Sequence, residues 1–243
     1  GVRTIIKTLV KKYRSCGGKL RMRCGVRRLE TDNCRVVGVT LESGETLTAD
    51  AVLSSAGYVE TMRLCDGASS PSPRPSPREG EGEVGRISFV ETVSILDAAP
   101  ASLGHDATIV FYSDAETFTY AEPREAVDLS SGILCCPNNY EGHEDMPEGV
   151  VRLTWLANFD RWASLDETAY AAGKRACRDR MIGQVTRFIP TVSDHVVFTD
   201  VFTPRTIRQY TGHLNGAVYG SPRKRRDGRT PYENLFICGT DQG

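Results

Sequence analysis

The chain has 243 residues, 40% hydrophobic and 25% charged, with a formal net charge of -1. That length allows one large core or two small ones, and the balanced charge gives no argument for a nucleic-acid partner. No apolar run approaches the length of a membrane span, and the opening residues are expected to be neither a signal peptide nor a transit-like arm.

A cytoplasmic location is the expectation. The eight cysteines include no C-x-x-C, and the four histidines are scattered. Reduced thiols are therefore expected, and a metal site is not.

In chain order, Val2, Ile5, Ile6, Leu9, Val10 and Tyr13 recur at helical spacing. They predict a helix over 2–16 that buries Ile5, Ile6 and Leu9 against the strand at "AVLSS", with Gly17 or Gly18 ending it. "KLRMRCGVRRLE" reads as a strand broken near Gly25. "CRVVGVTLESGETLTAD" reads as a β-hairpin turning at "ESGE", and "AVLSSAG" as a buried strand ending in small residues. "YVETMRLCDG" is a short helix. Residues 68–85, "ASSPSPRPSPREGEGEVG", cannot bury enough surface to offset their ordering entropy and are expected to be disordered; a Pro-rich ligand for a recognition domain is the alternative.

From Ile87 the texture is that of strands: "RISFVETVSIL", "ATIVFYSD", "SGILCCPNNY" and "GVVRLTWLANF". "SLDETAYAAGKRACRDRMIGQVTRFIP" predicts a long helix. Ser164 is its expected N-cap, Glu167 completes a capping box, and Pro190 stops it. "DHVVFTDVFTP" is a further strand, and "RTIRQYTG" a short helix or turn. The closing "NLFICGTDQG" reads as a short buried strand that feeds a glycine-rich turn. Such a turn commonly brings backbone close to a phosphate. No G-x-G-x-x-G occurs in the sequence; the double glycine of "SCGGKL" ends a helix instead of opening one.

Four stretches in order, "CGGKLRMRCGVRRLE", "VVGVTLESGETLTADAVLSSAG", "TPRTIRQYTGHLNGAVYG" and "NLFICGTDQG", resemble the phytoene desaturase and carotenoid isomerase type of FAD-dependent oxidoreductase. That group belongs with the amine-oxidase-like flavoproteins. The resemblance covers most of the chain outside 68–85. It implies an α/β fold: a partial FAD-binding domain over 1–67, the insertion 68–85, a mixed-sheet substrate domain over 86–210, and a truncated return to the FAD-binding domain over 211–243. FAD is the implied cofactor. The implied substrate is an apolar polyene that is desaturated, saturated or isomerised by flavin hydride transfer.

Carried onto this sequence, the resemblance puts the main chain of Val26 beside adenine. It puts Ala56 and Gly57 beside the pyrophosphate, and Gly216 and Ala217 (with Gly220) flat against the flavin ring. Gly239 would let the backbone approach, and Thr240 or Asp241 would meet the ribityl hydroxyls. The family has its glycine fingerprint upstream of Gly1 and a further helix after Gly243. The chain is therefore expected to be a fragment that holds FAD weakly.

Plainer readings stand beside these. Val26 is a core valine, "SSAG" a helix-entry turn, and Asp241 the Asx cap of a bare turn. His213 is an exposed loop histidine in preference to a general base, and no catalytic residue is named. Arg205, Arg208 and Tyr210 line a site or form a solvated face. "RKRRDGR", 223–229, is a solvated loop or a peripheral membrane contact. Trp155 and Trp162 line a tunnel or belong to the core. At the level of function the rivals are a non-catalytic truncated gene product and a relative of the flavin amine oxidases or porphyrinogen oxidases. The expected partner is an apolar small molecule and not nucleic acid; oligomeric state and redox partner are left open.

Overall fold

The computed structural model describes residues 2–65, 84–143 and 146–243. The disorder expected over 68–85 falls, up to residue 83, outside the described residues. The fold is α/β. The chain divides into two compact units: Gly1–Leu53 with Met62–Arg74 and Thr230–Phe236, and Ser54–Thr61 with Pro75–Arg229 and Ile237–Gly243.

In the first unit, helix α1 (Val2–Ser15) has the expected amphipathic pattern, and a left-handed Gly17 follows it. Its apolar face is not buried: Ile5, Ile6 and Leu9 are 60%, 54% and 62% exposed. Periodicity specifies which face of a helix is apolar but not what covers it, and here the expectation of packing against "AVLSS" is overturned. The core of the unit is instead the cluster of Leu29, Val36 and Leu235. Strands β1 (Val26–Asp32), β2 (Arg35–Leu41) and β3 (Thr46–Thr48) form an antiparallel sheet in that order, and "ESGE" supplies the β2–β3 turn.

Asn234, 7% exposed, acts as a piece of strand. Its Oδ1 accepts the Val36 N–H at 2.8 Å, and its Nδ2 donates to the carbonyls of Val36 and Asp50, each at 2.7 Å. A side-chain amide thereby satisfies three backbone groups.

Strands β4 (Val52–Ser54) and β10 (Leu235–Ile237) pair as a two-stranded sheet. Val52 N–H donates to Asn234 O and Cys238 N–H to Ser54 O, so partners rise together along both strands, a parallel pairing. β10 is buried at Leu235 and Ile237 as expected, but β4 is not buried: Leu53 is 67% exposed. Helix α2 (Tyr58–Cys65) follows β4.

The second unit is built on a five-stranded antiparallel sheet, β6 (Ile109–Ser113), β7 (Ser131–Cys135), β8 (Gly149–Ala157), β5 (Ser88–Leu96), β9 (Val196–Phe202), in that spatial order. Alternation decides which side chains face the core. Val90 and Leu96 of β5 and Val151, Leu153 and Trp155 of β8 point to one face, and helix α4 (Glu167–Val185) covers that face with Cys177, Met181 and Val185.

The N-cap of α4 is Asp166, whose carboxylate accepts the Ala169 N–H at 2.8 Å, and not Ser164. Ser164 instead ends helix α3 (Phe159–Ala163), with its hydroxyl on the Arg161 carbonyl. The capping-box pattern competes here with a second helix terminus three residues upstream. Helices α5 (Val192–His195) and α6 (Pro204–Thr211) flank β9. Trp155 and Trp162, each 1% exposed, belong to the core and line no tunnel; their indole N–H groups donate to the Tyr112 hydroxyl and the Ala126 carbonyl.

Candidate functional site

Among the described residues, no helix packs on the other face of the five-stranded sheet. Its phase is set by the partners Phe89↔Leu156, Phe111↔Ile133 and Ile133↔Thr154. These residues line a groove of about 350 Å³ together with Phe118 and Tyr120 from the segment after β6. The size lies in the range of small-molecule sites. The lining is aromatic and aliphatic, and its polar groups are hydroxyls. Burial pushes the Tyr120 phenol above its ordinary range, with nearby Tyr219 adding to the shift, so this wall is neutral at physiological pH. Phe111 stays 75% exposed and Phe118 56%. Large exposed aromatics gathered on one concave face mark a binding surface.

The "HLNGAVYG" segment runs along the start of β5. Val218 N–H donates to the Ile87 carbonyl, the Ser88 hydroxyl to Gly216 O at 2.7 Å, and the Asn215 amide to Gly85 O at 3.1 Å. This places Tyr219 edge-on to Phe89, with ring centroids 6.0 Å apart. The next residue, Gly220, has φ +63°, and a Cβ there would lie 1.9 Å from Asp241 Oδ1. Only glycine fits.

Asp241 is 3% exposed and its carboxylate is fully engaged. Oδ2 accepts the Tyr58 N–H and Oδ1 the Ser221 N–H, both at 2.6 Å, while its carbonyl accepts the Arg225 N–H. The carboxylate thus caps the start of α2. The Lys224 ammonium holds the carbonyls of Tyr219 and Thr240, and the Arg225 guanidinium lies 3.7 Å from the centre of the Tyr58 ring. The basic run is therefore partly structural, contrary to its reading as a solvated loop.

His213 is not the exposed residue expected. Its side chain is 14% exposed, with Nδ1 3.7 Å from Glu60 Oε1, and that same oxygen accepts the Leu214 N–H at 2.7 Å. Arg205 lies over Tyr170 and pairs with Glu167, and Arg208 lies over Phe159, so both brace helices. Tyr210 is 78% exposed.

Of the residues that the resemblance points to, Val26 lies in the first unit, 41% exposed at the start of β1. Ala56, Gly57, Gly216, Ala217, Gly239, Thr240 and Asp241 belong to the second unit. Gly57 (φ +97°) and Gly239 (φ +89°) have left-handed backbones. Ala217 and Asp241 share a cavity of about 10 Å³, room for about one water. With the Tyr58 and Ser221 N–H groups taken by Asp241, these residues as arranged do not fit a dinucleotide. No group of three or more His, Cys, Asp or Glu side chains among the described residues is placed to hold a metal ion. No helix among them is long and apolar enough to cross a membrane.

No protein-family model matches the chain. A 4,4'-diaponeurosporene oxygenase of Staphylococcus aureus is 21% identical over 98% of this chain and 49% of its own length. A lycopene-forming phytoene desaturase of a Paracoccus species is 26% identical over 90% of this chain and 44% of its own length. The chain spans about half the length of these relatives. The crystal structure of an oxidoreductase from Methanosarcina mazei superposes with a TM-score of 0.60 over 100% of this chain and 49% of the other at 13% identity, a likeness of fold.

Proposed function

We propose that this chain supplies the substrate wall of a carotenoid-type oxidoreductase acting on an apolar polyene. The observation that carries the proposal is the open sheet face, where Phe89, Phe111, Phe118, Tyr120, Ile133 and Leu156 form one groove without a charged lining residue. Such a wall can bind an uncharged conjugated chain by area and ring contacts, orient it along the sheet and exclude water. The names of the relatives favour a polyene over an amine or a porphyrinogen.

FAD is the cofactor that the resemblance implies, and its flavin would carry the redox step. The chain around Asp241 does not form the cradle such a group needs, so no step is assigned through it. The same geometry favours a second reading for the chain by itself, binding without turnover. In this proposal the protein works at a cytoplasmic location or peripherally at a membrane, where apolar substrates reside.

The test is a titration of the full chain with 1,6-diphenylhexatriene, an uncharged linear polyene that fluoresces in apolar surroundings, followed by flavin absorbance after gel filtration with FAD. Saturable polyene binding and sub-stoichiometric flavin are expected. Absence of saturable polyene binding removes the proposal.

A further inference from the structure

The aromatic edge of the groove is carried by residues 115–121, which belong to no helix or strand. A segment of this kind has little to fix it unless its ends are tied. Both ends are tied, each by an arginine fork. At one end the Arg187 guanidinium donates to both oxygens of Asp114 at 2.8 and 2.9 Å, and lies 5.4 Å from the Tyr112 ring centre. At the other, Arg86 donates to both oxygens of Glu122 at 2.6 and 2.8 Å and to Asp160 at 2.9 Å. Phe118 and Tyr120 sit between these anchors, with ring centroids 6.3 Å apart.

We infer that Arg86 and Arg187 are positioning residues that clamp the 115–121 segment, and so set the affinity and shape selectivity of the groove for rigid apolar ligands. Neither arginine lines the groove. They act through carboxylates, and bidentate forks fix direction as well as distance. This inference rests on the groove being the ligand site. Its signature is that the affinity for an uncharged ligand depends on a pair of ion pairs. The Arg86 side chain is 44% exposed and that of Arg187 likewise, so salt weakens the clamp, whereas salt strengthens ordinary hydrophobic binding in every variant alike.

The experiment titrates the full chain and its Arg86→Gln, Arg187→Gln and Arg86→Lys variants with 1,6-diphenylhexatriene, at low salt and at 1 M NaCl, well below the melting temperature of each. At low salt each Gln variant should bind about two- to fivefold more weakly than the unsubstituted chain, the range expected for exposed pairs. Arg86→Lys should recover part of the loss. At 1 M NaCl the ratio of variant to unsubstituted affinity should approach one. Glu122→Gln, which keeps both arginines, should reproduce the Arg86→Gln result if that variant folds poorly. Equal affinities at low salt, or a ratio indifferent to salt, overturn the clamp while leaving the groove intact. Failure of the unsubstituted chain to bind removes the groove reading and the clamp with it.

Discussion

The second unit buries Trp155, Leu153, Leu134, Met181, Val185 and Ile189 in one continuous core between sheet and helix. The fully buried core of the first unit is Leu29, Val36 and Leu235, and its longest helix buries nothing. The sheets differ in the same sense. The five-stranded sheet has one face packed and the other open but lined with aromatics, whereas the three-stranded sheet leaves Val37 and Leu47 at 46% and 37% exposure. The comparison separates two kinds of exposed apolar surface. On the five-stranded sheet a rigid support holds the exposed side chains in a concave groove, the property expected of a ligand site. On α1 the stripe is exposed along its length, and no residue of the helix is buried.

Substitutions should divide along the same line. The largest effect is expected from Met181→Ala, which empties a fully buried site under the sheet and should cost about 2–5 kcal/mol in chemical denaturation. Next comes Asn234→Ala, which strands the Val36 N–H and two carbonyls and should cost about 1–3 kcal/mol. Asp241→Ala, which uncaps α2 and frees Ser221, should fall in the same range and should also weaken polyene binding by releasing Tyr219.

Alkaline pH should act mainly on the second unit. Burial pushes the Cys136 and Cys177 thiols up to about 12 and about 11, from an ordinary value of 9.0. Because these are raised values, the thiols' contribution to stability is complete below about pH 9 and is lost as pH rises toward the folded values. A melting temperature that falls from pH 9 to 11, with a flatter profile in Cys136→Ala, is the expected outcome. The smallest effect is predicted for Leu9→Ala on α1, within about 0.5 kcal/mol. A large loss there would show that the stripe is packed after all.

Much of this was legible in the sequence, for reasons that also mark where it stops. The strand-like texture of "RISFVETVSIL" and "GVVRLTWLANF" carried the strands, and helical spacing carried α1. Of the two glycines expected to end α1, Gly17 has the left-handed backbone. Tertiary partners were not legible. Nothing in the spacing of Ile5 and Leu9 says whether something covers them, and nothing in "GTDQG" says that Asp241 spends its carboxylate on Tyr58 and Ser221, far away in sequence. The groove had a signal that could have been used: Phe89, Phe111 and Ile133 are apolar on the phase of their strands opposite the core. Apolar residues on both phases of an antiparallel sheet need a second partner.

The most direct measurement of the central claim is the affinity of 1,6-diphenylhexatriene for Phe111→Lys compared with Phe198→Lys. Both residues are exposed on the open face, Phe111 in the groove on β6 and Phe198 on the edge strand β9 outside its lining. A lysine ammonium at the groove keeps its water, and covering it with an uncharged ligand costs desolvation without a partner. Phe111→Lys should therefore lose tenfold or more in affinity, roughly 1.4 kcal/mol, while Phe198→Lys stays within about twofold of the unsubstituted chain. Equal losses in both variants, or none in Phe111→Lys, would contradict the assignment of the groove as the substrate wall.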